Sequence, residues 1–265
     1  MRSFRRYARL LAVQMRTSFT LAAQYRFDFF LEGGLALFWL VITLIPLLVV
    51  FSRRDAVAGW SYPEALVVVG WFSVLKAVLD GGVTPSLNFV VEGVRKGTLD
   101  FVLLKPADAQ FLVSTARFEP WRIVDFFGSV GILIYAFHLL GHAPGVGDLM
   151  VGLALFTVAL VLLYSLWILV VSISFRVVKV DNLSYLFISI FDAGRWPINV
   201  FKGALRLIFT VVFPLALMTT YPAQALLGKL SAGHALLAGA GGLAFASVAR
   251  LVWKRGLRAY TSASS

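Results

Sequence analysis

The sequence predicts an all-α polytopic membrane protein, and three observations carry that expectation. Its residues are 60% hydrophobic and 14% charged, with mean hydropathy +0.86, whereas soluble domains carry roughly 45–50% apolar and 25% charged residues. The apolar residues gather into six runs near bilayer-crossing length, for which about 20 residues are needed. Lys and Arg crowd into some of the links between those runs and avoid the others, as they do when topology sets their placement.

Residues 1–28 come first, as an interfacial segment. At about 100° per residue, Arg2, Arg5, Arg6, Arg9 and Arg16 share roughly a third of a turn, with Phe4, Tyr7, Leu11, Met15 and Tyr25 opposite. This is an amphipathic helix with its arginine face toward anionic headgroups. The alternative use of such a stripe, nucleic-acid binding, is not expected in so apolar a chain. No apolar core followed by a small-residue cleavage site stands at signal-peptide spacing, so the N-terminus is expected to be retained.

The spans are expected at 29–51, 63–82, 123–140, 149–175, 204–220 and 232–253. Residues 176–203 read as a cytoplasmic or interfacial helix-turn, because the apolar stretch 183–191 is short and ends at Asp192-Ala193-Gly194-Arg195-Trp196-Pro197. Segments 1–28, 83–122, 176–206 and 250–265 hold 6, 5, 5 and 4 Lys and Arg, and the three intervening loops hold 2, 0 and 1. The positive-inside rule then places both termini in the cytoplasm.

The second and third spans are separated by a distinctive polar stretch at 84–106. Thr84 is suited to N-cap a helix and Pro85 to its first turn. Arg95 and Lys96 oppose the negative end of the helix dipole, and Gly97 takes the left-handed stop. The expectation is a capped helix of about three turns, either a docking element that offers Phe89, Glu92, Arg95, Lys96 and Asp100 or a plain connecting helix.

The chemistry the chain lacks narrows its function. With no cysteine, disulfides and thiolate chemistry are excluded. No Gly-x-x-x-x-Gly-Lys-Ser/Thr loop is present, so the chain is not expected to hydrolyse ATP by that route. His138, His142 and His234 lack the companions of a metal site. Lys76 and Asp80 are expected to pair within the second span, where a lone charge costs about 2.5–3.5 kcal/mol. A translocation path or a subunit interface uses such a pair, and snorkelling is the bland alternative. Glu32 and Asp125, near span ends, are expected to snorkel or meet loop arginines. Ala235, Ala238, Gly239, Gly242 and Ala246 form a small-residue face for helix packing.

Two stretches carry a resemblance. Residues 92–106, Glu-Gly-Val-Arg-Lys-Gly-Thr-Leu-Asp-Phe-Val-Leu-Leu-Lys-Pro, resemble the segment after the second span of bacterial type-2 ABC exporter permeases. Gly194-Arg195-Trp196-Pro197, Phe213-Pro214-Leu215-Ala216 and Tyr221-Pro222-Ala223-Gln224 resemble the family's second motif, with Trp196 where Tyr is usual. Arg195, Pro197, Pro214, Tyr221 and Pro222 are the motif residues. The resemblance implies a six-span permease of the bacterial plasma membrane, working as a dimer with an identical or related permease. It also implies two copies of a separate ATPase that bind ATP and Mg, docked on 84–106. Two other readings are an ion-coupled secondary transporter using Lys76, Asp80 and Asp125, and a membrane scaffold that transports nothing.

Overall fold

The computed structural model describes residues 2–24, 26–175 and 181–258. Helix α1 (Arg2–Gln24) precedes α2 (Arg26–Phe51). A two-strand ribbon, β1 (Ala56–Val57) and β2 (Trp60–Ser61), turns the chain back into α3 (Tyr62–Val78). The end of the bundle that carries this turn is called the ribbon end, and the opposite end the basic end. Ser61 and Glu64 form a capping box at the start of α3, with the Ser61 N–H donating to Glu64 Oε2 at 2.9 Å.

Helix α3 forms the centre of the bundle, with Leu66, Val67, Val68, Phe72 and Leu75 all buried. It does not stop where the sequence predicts. A widened π-type turn at Leu79–Val83 carries it straight into α4 (Thr84–Lys96), giving one helix of 35 residues. Thr84 is therefore not an N-cap: its backbone is helical, and its buried Oγ1 has no hydrogen-bond partner. The reason lies outside the local sequence. Pro85 lacks the N–H that would bond the Gly81 carbonyl one turn back, and the Glu119 N–H supplies the missing donor at 2.8 Å. At about 1.5 Å per residue the helix is roughly 52 Å long, well beyond the ~30 Å hydrocarbon core. Gly97 ends it in the left-handed conformation at φ 70°, as expected.

After the short helices α5 (Asp100–Leu103) and α6 (Ala109–Ser114), α7 (Ile123–Leu140) climbs to the ribbon end and α8 (Val146–Ile173) returns. Gly70 lets α3 pack on α7, since a Cβ there would lie 2.9 Å from Leu133. Helix α12 (Ala232–Arg258) packs on α8 through Ala238, Gly242 and Ala249, part of the small-residue face continued by one more alanine. It runs as helix through Lys254 and Arg255, so of the expected basic tail only 259–265 fall outside the described residues.

The 176–226 region departs most from expectation. Residues 176–180 lie outside the described residues, and α9 (Asp181–Asp192) then climbs along α3 and α8. Phe187 meets Trp167, and Phe191 meets Phe72 about 15 Å below the start of α3. Two 3-10 turns carry the chain higher, where the Ile198 N–H donates to Thr220 Oγ1 at 3.0 Å. Residues 181–200 are thus a traverse of the bundle rather than an interfacial turn.

The predicted span at 204–220 is instead part of a bent pair. Gly203–Val212, which begins with α10 (Gly203–Leu207), and Ala216–Leu226, which ends with α11 (Tyr221–Leu226), meet at 70°. Arg206 lies beside Asn199 and near Tyr221, the break packs against Gly194, and Gly228 comes back to Asp148 at the start of α8. Both arms therefore open toward the ribbon end, as a re-entrant hairpin. Among the described residues five helices are long and apolar enough to cross a membrane, and 181–200 climbs beside them through much of the bundle. Arg2 and Arg258 accordingly lie at the same end of the bundle.

Candidate coupling and charge sites

The basic end is built around the overhanging tip of α4. Arg95 and Lys96 are exposed, and Lys96 Nζ reaches Glu92 Oε1 at 2.6 Å, an i,i+4 pair. Phe89 lies under the Arg117 guanidinium, 4.9 Å from its ring centroid. Beyond Gly97 the short α5 begins at Asp100 and presents Phe101 and Leu104 to the outside, 69% and 81% exposed. The sequence pattern by itself does not mark Phe101 and Leu104 as surface residues. The apolar run Phe101-Val102-Leu103-Leu104 was a signal, but it does not say which of its side chains face inward.

The tip is braced from two sides. Ser86 is buried and bonds both backbone groups of Arg117, accepting from its N–H at 3.1 Å and donating to its carbonyl at 2.6 Å. Asp108 gathers three helices. Its carboxylate caps α6 by accepting from the Phe111 N–H at 3.0 Å and pairs with Arg250 Nη2 of α12 at 2.7 Å. Its own N–H donates to Tyr7 Oη of α1 at 3.1 Å. The Arg250 guanidinium, hydrogen-bonded to the Asp108 carboxylate, holds its pKa below the usual carboxylate range. Arg250 also bonds Gln110, whose Nε2 donates to Tyr164 Oη of α8 at 3.0 Å.

A second cluster lies within the bundle. Lys76 Nζ is 3.8 Å from Asp80 Oδ2, but it makes its hydrogen bond to Asp192 Oδ1 at 3.1 Å. The dominant partner is therefore on the segment predicted to be interfacial. Arg195 holds the other Asp192 oxygen at 3.5 Å and stands 5.9 Å over the Phe72 ring. Asp125 pairs with Arg122 at 3.1 Å. Lys76, Asp80, Arg122 and Asp125 line a cavity of about 70 Å³ shared by α2, α3 and α7. Among the described residues no group of His, Cys, Asp and Glu is placed to hold a metal ion.

The second-motif residues are structural pivots. Pro197 opens the turn Ile198–Val200, Pro214 stands at the 70° break, and Tyr221 and Pro222 begin α11. This order of elements, with a helix overshooting its span before the re-entrant pair, meets an independent comparison. The family model described as ABC-2 family transporter protein matches residues 37–264. The chain belongs to the ABC-2 family. No curated protein and no solved structure matches it. This ABC-2 protein is a multi-pass membrane permease, and the matched stretch takes in both charge clusters apart from Tyr7, leaving out α1 and about the first three turns of α2.

Proposed function

We propose that this permease is one half of an ATP-driven exporter in the bacterial plasma membrane, and that the tip of α4 with α5 receives a separate ATPase subunit. The observation that carries this reading is the 35-residue helix. Its first half is the most enclosed part of the bundle and its last turns overhang the membrane by roughly 20 Å, so a push on the tip is delivered to the central helix. The tip's surface suits a protein partner: exposed Phe101 and Leu104 supply apolar area, and Arg95 and Lys105 supply exposed positive charge. ATP and Mg²⁺ belong to the partner in this scheme, since the chain has no phosphate-binding loop. Two such permeases, identical or related, and two ATPases complete the transporter.

The basic end faces the cytoplasm in this reading. Segments 1–28, 83–122 and 250–265 still hold 6, 5 and 4 Lys and Arg, while the ribbon end has Arg53, Arg54, Lys202, Arg206 and Lys229. The bias survives the transfer of Lys202 and Arg206 that the re-entrant hairpin imposes.

The test is co-expression with the cognate ATPase and purification of the complex through the permease. Phe101→Asp/Leu104→Asp and Arg95→Glu/Lys96→Glu are each expected to lose most of the co-purifying ATPase and ATP-driven transport. Expression level and a monodisperse elution profile control for folding. Full ATPase retention and transport in both variants would return the segment to a connecting role.

A further inference from the structure

Helix α1 makes a regular set of contacts with the segment that follows the docking tip. Arg6 bonds the Pro106 carbonyl, and Tyr7 Oη accepts from the Asp108 N–H. Gln14 Nε2 donates to the Leu112 carbonyl at 3.2 Å, and Gln14 Oε1 accepts from Thr115 Oγ1 at 2.6 Å. Ser18 Oγ accepts from the Phe118 N–H at 3.1 Å. Both partners advance together along the chain, so α1 is a parallel splint along residues 106–118.

Beside the splinted face lie two further bands, and the remaining sector carries Val13, Thr17, Thr20 and Leu21. At about 100° per residue, Gln14, Tyr7 and Ser18 span roughly 40° and face the splinted segment. Phe4, Met15 and Phe19 form the next band, and all three are exposed, at 80%, 39% and 50%. Adjoining them, Arg5, Arg9 and Arg16 form a band within roughly 40° of one another, and all are exposed. Residues 2–24 contain no Asp or Glu. Among the described residues no carboxylate pairs with these three arginines. An apolar strip beside a strip of uncompensated arginines suits an interface whose apolar layer lies next to negative charge.

We infer that the outer face of α1 is a seat for an anionic lipid surface, and that occupancy of the seat holds residues 106–118, and with them the docking tip, in place. Phe4, Met15 and Phe19 enter the acyl boundary while Arg5, Arg9 and Arg16 meet phosphate groups at the headgroup level. The bonds of Tyr7, Gln14 and Ser18 pass the position of α1 to the segment behind the tip. The seat goes beyond the ATPase reading, and its expected results are read without an ATPase, which enters only as a control for a protein partner.

The native chain has no cysteine, so Phe19→Cys in the full-length protein accepts a single polarity-sensitive fluorophore. The labelled protein is placed in nanodiscs of phosphatidylcholine alone, or of equal parts phosphatidylcholine and phosphatidylglycerol. A clear blue shift is expected in the anionic discs, together with a several-fold slowing of amide exchange across 106–118. Arg5→Gln/Arg9→Gln/Arg16→Gln is expected to remove both effects, and Arg5→Lys/Arg9→Lys/Arg16→Lys to retain them. Tyr7→Phe/Gln14→Ala/Ser18→Ala should keep the blue shift and lose the slowed exchange. Equal emission and exchange in the two lipids would overturn the inference. So would a glutamine variant that keeps its lipid response but no longer retains the ATPase in detergent, because the arginines would then serve a protein partner.

Discussion

Two prolines follow widened helical turns in this permease, and the chain responds to them in opposite ways. At Leu79–Val83 the helix continues through Pro85 to Lys96. At Ile208–Val212 it breaks before Pro214 and bends by 70°. Phe213, the residue before Pro214, has left the helical region at φ −112°, ψ 87°, the usual consequence of a following proline. Thr84, in the same position before Pro85, stays helical at φ −58°, ψ −49°. The difference is external support. The Gly81 carbonyl receives the Glu119 N–H, and Gly81 and Gly82 lie against Arg122 and Phe118. Around the second site Leu207, Val211 and Val212 of the first arm are exposed while residues 215–218 of the second are buried, and among the described residues no backbone N–H from a distant part of the chain bonds to the first arm. A proline specifies a weak point in a helix, and the neighbours decide whether it becomes a lever or a hinge.

The largest expected effect breaks that support directly. A Cβ at Gly81 would lie 3.2 Å from Arg122 Cβ, so Gly81→Val overpacks the joint and should cost roughly 1–3 kcal/mol. Thermal unfolding in detergent should show a clear loss, while Val211→Ala on the exposed arm changes stability by no more than about 0.5 kcal/mol. Equal losses at the two sites would mean that packing does not distinguish them.

The next effect concerns where the lever stops. Gly97→Val puts a β-branched residue at φ 70°, at a cost of about 1–2 kcal/mol. The same melting experiment reads it, and Gly97→Asn, a tolerated left-handed residue, should recover most of the loss.

A smaller effect tests the brace behind the tip. Asp108→Asn keeps the cap of α6 and removes the ion pair with Arg250, whose partners are 39% and 41% exposed, so about 0.5 kcal/mol is at stake. Because the native pKa of Asp108 lies below its unfolded value, the contribution is fully present above the unfolded pKa of about 3.9. It fades as pH falls through the lower native value. The gap in melting temperature between wild type and Asp108→Asn should therefore be constant near neutrality and close under acid. A gap that widened on acidification would contradict the assignment.

The smallest effect is the most discriminating for the comparison. A capping Thr84 would lose about 1 kcal/mol on truncation. In the continuous helix its Oγ1 is buried without a partner, so Thr84→Val should leave the melting temperature unchanged or raise it slightly. A drop equivalent to a lost cap would restore the separate short helix.

What the sequence by itself determined follows from interactions that are short in range or set by composition. The apolar runs specify membrane helices, the left-handed glycine stops α4 at residue 97, and Ala238 and Gly242 of the small-residue face of α12 are buried as its spacing says, while Gly239 faces open space. The exposed tip at Arg95 and Lys96 is likewise legible, because a charged last turn with a glycine stop is a local pattern. Tertiary structure alone decided the rest. Glu119 completes a helix 38 residues earlier in the chain, and Asp192 claims Lys76 in preference to Asp80, its neighbour one turn away. Asp192 and Arg195 look like the end of a short surface helix until Lys76 and Phe72 are seen to receive them, which turns 181–200 into a traverse and 203–226 into a re-entrant hairpin. Local sequence names the hydrogen-bonding groups and charges that need partners. Only packing brings those partners from distant parts of the chain, and in a membrane interior an unpaired charge or backbone group is far more costly than a lone hydroxyl such as that of Thr84.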